Sequence, residues 1–90
     1  MSATDTAQTV PGLEFVRLVL SMLVEDKDQL VIDSRIDDLG ALITIQVSDR
    51  DMGKLIGKNG QTIKSIRILL RVIGGIAHQR VNLKVLEPKV

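Results

Sequence analysis

Apolar residues recur along this chain in two rhythms, and the changes between them mark its elements. Over residues 13–25, Glu14, Arg17, Ser21 and Glu25 fall on one narrow stripe at about 100° per residue, which predicts a helix. The other positions there are apolar: Leu13, Phe15, Val16, Leu18, Val19, Leu20, Met22, Leu23 and Val24. That surface is wider than one core-facing stripe requires. Either neighbouring elements cover the excess, or part of it meets another chain. Glu25-Asp26-Lys27-Asp28 is a polar turn. Leu30–Ile36 is rich in β-branched residues and partly alternating, and Ala41–Val47 alternates cleanly with Leu42, Thr44 and Gln46 on one face. With the Asp37-Asp38-Leu39-Gly40 turn between them, the two segments read as an antiparallel hairpin.

Ser48, followed three residues on by Asp51, has the form of a helix N-terminus. A short helix then reaches about Leu55-Ile56. The Gly57–Gly60 turn follows, then a longer helix from Gln61 to about Ala77, closed by His78-Gln79. Arg80–Leu86 is a final strand, and Pro88 ends the structure. The order helix-strand-strand-helix-helix-strand gives an α+β domain over residues 13–87, preceded by a flexible tail over residues 1–12.

The long helix has three sides. Ile63, Ile66, Leu70, Ile73 and Ala77 mark the core face by their spacing. Lys64, Arg67 and Arg71 form a basic stripe beside it. Ile68, Val72 and Ile76 form a third, apolar line. A chain of this size offers no obvious second layer to cover that line, so it is a candidate self-association face.

Composition narrows the chemistry. Ninety residues make one domain. There is no cysteine and a single histidine, His78. Disulfides, thiolate metal sites, cysteine catalysis and a histidine-rich metal site are therefore excluded. No nucleophile–base pair can be assembled, so neither an enzyme nor a cofactor site is expected. No apolar run reaches the roughly 18 residues of a membrane span. The polar start lacks a basic region before its first apolar run, which points to the cytoplasm.

The net charge of +1 conceals an asymmetry. Residues 1–49 hold nine acids and three bases, a net of −6. Residues 50–80 hold seven bases and one acid, Asp51, a net of +6. Such a division points to a polyanion-facing surface, unless the two halves neutralise each other within the fold. Along the basic stripe no acid is interleaved, so ion pairing along the helix does not account for it.

The Gly57-Lys58-Asn59-Gly60 turn joins these observations. Glycine lets a ligand approach the backbone. A helix that begins immediately after the turn presents free N–H groups, which favour an anion. Lys58 adds a charge at the tip, and Asn59 an amide able to bond phosphate or sugar oxygens. Leu55, Ile56 and Ile63 can form an apolar wall for bases. A nucleoside-triphosphate P-loop is not met: Gly53 and Gly57 are separated by three residues where four are needed, and Asn59 stands where Ser or Thr is needed.

The run Ile56-Gly57-Lys58-Asn59-Gly60-Gln61-Thr62-Ile63 resembles the Ile-Gly-x-x-Gly-x-x-Ile signature of the KH RNA-binding domain. The element order resembles its bacterial type II form, which implies a three-stranded mixed sheet packed on three helices. The length, Gly53-Lys54 before the signature and Ile66-Arg67 after it resemble the small single-KH proteins of the KhpA family. The resemblance implies that Gly57, Lys58, Asn59 and Gly60 clamp about four nucleotides of single-stranded RNA. Leu55, Ile56 and Ile63 would border the base groove, with Lys64 and Arg67 supporting it. The basic stripe extends the expected site to Arg71, and Lys54 is included with it. The resemblance also implies an RNA chaperone or post-transcriptional regulator, acting as a homodimer or with a larger KhpB-like KH protein. A protein-interaction subunit with little RNA binding of its own is the other reading. With no Tyr or Trp and one Phe, stacking platforms are lacking, so little sequence preference is expected.

Overall fold

The computed structural model describes residues 10–86. The expected tail over 1–9, Glu87 and the stop at Pro88 lie outside the described residues. The elements are α1 (Leu13–Leu23), β1 (Val31–Asp37), β2 (Gly40–Gln46), α2 (Asp49–Ile56), α3 (Gln61–Ile76) and β3 (Val81–Leu86). The fold is α+β, with three helices on one mixed sheet, as the resemblance implies.

The strands lie in the order β1-β2-β3. β1 and β2 pair antiparallel, with Asp37 opposite Gly40 at the turn. β2 and β3 pair parallel, from Ala41 beside Val81 to Gln46 beside Leu86. A parallel pair cannot be joined by a tight turn; α2 and α3 supply the crossover. The alternation of β2 is explained by its central position. Ala41, Ile43 and Ile45 point into the core, and Leu42, Thr44 and Gln46 face the other way half-covered. β1 is mostly exposed along its length, so it extends the sheet while adding little to the core.

The core gathers Val16 and Leu20 of α1, Leu55 of α2, Ile63, Ile66 and Leu70 of α3, and Leu83 of β3 against β2. Three boundaries differ from the sequence reading. Val10, expected in the tail, is a core residue. Gly12 takes φ 87°, and the turn over Pro11-Gly12 folds Val10 back so that its carbonyl accepts from the Leu13 N–H at 3.1 Å. Helix α1 stops at Leu23, and Val24 is already extended and buried. The buried side of α3 ends on Gly74, while Ala77 is exposed at the helix cap. A side chain at Gly74 would run into the Gln79 carbonyl, so this glycine lets the start of β3 close onto the helix. Phe15 packs half-buried against the core, while Leu18 and Met22 of α1 are exposed. No helix among the described residues is long and apolar enough to cross a membrane.

Candidate nucleic-acid interface

Helices α2 and α3 meet at the glycine turn, and their N-termini are treated differently. At α2 the Ser48 hydroxyl accepts from the Asp51 N–H, and Asp49 and Asp51 supply negative charge in the first turn. That end satisfies itself. At α3 the N-cap is Gly60, with no side-chain cap and no acid in the first turn. The Gly60 and Gln61 N–H groups donate to the Gly57 and Lys58 carbonyls, but the positive end of the macrodipole meets no acid of its own and is left for an outside anion.

The turn itself is sharply constrained. Gly57 has φ 77° and ψ 177°, a backbone region essentially restricted to glycine. Asn59 (φ 56°) and Gly60 (φ 74°) are both left-handed. Asn is one of the few side chains that tolerates this conformation. The Gly60 N–H closes the turn on the Gly57 carbonyl at 3.2 Å. This arrangement leaves Lys58 and Asn59 exposed at the tip. A Cβ on Gly60 would meet nothing within 4 Å, so the backbone there is open to an approaching ligand.

The basic residues divide into two groups. Glu25, just beyond α1, pairs with Arg50 at 3.0 Å and also with Lys54. The bond to Lys54, then its charge and that of Arg50, hold the Glu25 carboxyl below the usual range. Lys54 is thus committed to an internal partner, and its expected place in RNA contact has a competitor. Neutralisation between the halves accounts for Arg50 and Lys54. It does not account for Lys58, Lys64, Arg67, Arg71 and Arg80, which have no ion pair among the described residues. Arg67 reaches across to the edge strand, donating to the Leu83 carbonyl at 3.4 Å. It therefore spans the groove between α3 and β3, with Arg71 one turn further along.

The apolar wall is narrower than expected. Leu55 is fully buried and Ile63 nearly so; they support the turn from beneath instead of lining a groove. Ile56 is the exposed member, at 38%. A two-turn helix has few positions with which to reach the core, and Leu55 fills that role for α2. On the far side of α3, Ile68, Val72 and Ile76 are all exposed, joined by Leu69, so nothing among the described residues covers that line.

Sequence reasoning missed the part played by Asp51. Beyond its place in the cap of α2, its buried carboxylate accepts from the Asp26 N–H at 2.9 Å, the Glu25 N–H at 3.1 Å and the Ser48 hydroxyl at 3.1 Å. The Asp26 bond first, then those of Glu25 and Ser48, hold its carboxyl low against the opposing effect of burial. Asp51 fixes the segment that carries Glu25, and so the acid that engages Arg50 and Lys54. The available signal was an acid inside the capping pattern; its long-range partners had none.

A family model for the KhpA/KhpB KH domain matches residues 13–85. This chain belongs to that family. Among its relatives, the RNA-binding protein KhpA of Chlamydia pneumoniae is 33% identical over 76 residues, covering 84% of this chain and 97% of the relative. That of Listeria monocytogenes is 30% identical over 74 residues, 82% of this chain and 97% of the relative. That of Borreliella burgdorferi is 27% identical over 75 residues, 83% and 92% respectively. The matched span contains all six elements up to Val85, the glycine turn among them.

Proposed function

We propose that this KH domain binds single-stranded RNA by its backbone. Gly57–Gly60 forms the clamp, and Lys64, Arg67 and Arg71 line the path along α3. The observation that carries the reading is the start of α3, with no side-chain cap, beneath a turn that exposes Lys58 and Asn59 and is left-handed at Asn59 and Gly60. That end of the helix offers its dipole and the Lys58 charge to an anion and holds no acid of its own. The relatives' description as RNA-binding proteins supports it. Base contact is limited to Ile56 and polar groups, so sequence preference is low. The domain acts as an RNA chaperone or regulator in the cytoplasm and not as a catalyst.

The exposed line Ile68, Val72 and Ile76 supports a second element of the proposal: pairing through α3, with another copy or with a KhpB-like KH protein. Two clamps on one assembly raise the apparent affinity by effective concentration. The same apolar line favours the rival reading, a subunit that mainly binds protein. Titrating a labelled single-stranded RNA at several salt concentrations separates them. RNA binding predicts a dissociation constant of about micromolar or weaker at physiological salt, weakening steadily as salt rises. No binding even at low salt would favour the protein-interaction subunit.

A further inference from the structure

We propose that the groove continues past the clamp to a second phosphate subsite at the far end of α3. Arg71, Arg80 and Asn82, with the space left by the missing side chain of Gly75, would take a later nucleotide of the same RNA strand. The inference rests on the RNA-binding reading above.

Between the last turns of α3 and the start of β3 lies an open hollow of about 510 Å³, lined by Arg71, Gly75, His78, Gln79, Arg80 and Asn82 among others. No carboxylate lines it. It shares Arg71, Val81 and Asn82 with a smaller hollow that also contains Arg67. The groove at Arg67 therefore runs into it without a break. At 1.5 Å per residue, Gly75 lies about 21 Å along α3 from Gln61. At 3.4 Å per phosphate of a stacked strand that is room for about six nucleotides, more than the four of the clamp.

Gly75 is the second observation. It is not among the positive-φ glycines, and a Cβ there would meet nothing within 4 Å. Neither backbone conformation nor packing requires glycine, although glycine inside a helix costs stability relative to alanine. Its neighbour Gly74, by contrast, is needed for packing. What the missing side chain at Gly75 does provide is open space in the hollow beside Arg71.

The negative end of the α3 dipole opposes an anion there, and capped carbonyls together with Arg71 and Arg80 offset it. The carbonyls of Ile73, Gly74 and Gly75 already accept from the N–H groups of Ala77, Gln79 and His78, at 3.1, 2.8 and 3.2 Å. Arg80 is held from behind, its carbonyl accepting from the Ala41 N–H at 2.7 Å. Asp38 shares a neighbouring hollow with Arg80 but forms no ion pair with it.

The test compares labelled oligouridylates of four and eight nucleotides on the wild-type chain and on Arg80→Gln, Gly75→Gln and Lys58→Asp/Asn59→Asp, by fluorescence anisotropy, with sedimentation of each variant. Arg80→Gln is expected to leave the four-nucleotide affinity unchanged and to weaken the eight-nucleotide one about fivefold, the upper end for an exposed ion pair. Its salt slope on the longer RNA should fall by about 0.7. Gly75→Gln should reproduce the length-dependent loss while melting no lower than wild type. Equal effects of Arg80→Gln on both lengths, or none on the longer, would overturn the subsite. So would a Gly75→Gln chain that changes its sedimentation and not its long-RNA affinity. Failure of the underlying reading looks different: no length binds, or the clamp variant binds both lengths normally.

Discussion

The two glycines of the clamp should respond very differently to alanine. At Gly57 the backbone lies in a glycine-only region, φ 77° and ψ 177°, which strains any other residue by about 1–3 kcal/mol. A Cβ there would also sit 2.7 Å from Thr62 Cβ and 2.9 Å from Thr62 N. A rotamer change at Thr62 cannot relieve the contact with its own backbone nitrogen, so the start of α3 must shift. Overpacking of that kind adds about 1–3 kcal/mol. At Gly60 only the left-handed conformation opposes alanine, by about 1–2 kcal/mol, because the space is empty. Reduced freedom of the unfolded chain returns about 0.4–1 kcal/mol of that. At about 4–8 °C per kcal/mol for a domain of this size, Gly57→Ala should lower Tm by roughly 10 °C or more and Gly60→Ala by roughly 5 °C. Gly60→Asn should be milder still, as at Asn59. Far-UV circular dichroism is the assay, since the chain has no Trp or Tyr. Equal melting of the two alanine variants, or the reverse order, would refute the assignment of strain to Gly57.

Other outcomes follow from the same geometry. Asp51 and Glu25 both have carboxyls held below their ordinary range. Their contribution is therefore present in full above the unfolded carboxylate pKa of about 4 and is lost as pH falls through the lower folded values. Asp51→Asn should melt below wild type at pH 7, and the gap should narrow as the pH is taken below 4; a gap that widens would contradict the sign. Ile68→Glu, on a face exposed at 48%, should fold normally and sediment as a monomer where the wild type self-associates. An Ile68→Glu chain that still dimerises would exclude that face.

The features legible in the sequence are those set by near neighbours. The hairpin follows from the alternation of Ala41–Val47 beside the Asp37–Gly40 turn. The start of α2 follows from Ser48 and Asp51, and the clamp from its glycine spacing. What escaped depends on contacts between distant segments. Val10 joins the core only because Gly12 turns the chain back. Leu55 reads as a groove residue from its neighbours but is the residue that anchors a two-turn helix. The pairing of Lys54 with Glu25 and the bonds from Asp51 to residues 25 and 26 span more than twenty positions, where no periodicity operates. Arg80 was read only as the start of a strand, because its proximity to Arg71 arises from the closure of β3 onto Gly74.

The clamp is tested most directly by Lys58→Asp/Asn59→Asp. Both side chains are exposed at the tip of the turn, and surface changes of this kind usually stay within about 0.5 kcal/mol, so Tm should move by only a few degrees. Two carboxylates in place of a cation and an amide should repel the RNA backbone and weaken single-stranded RNA binding by roughly tenfold or more, with a shallower salt dependence. A double variant that folds as the wild type does and binds RNA with unchanged affinity would contradict the account.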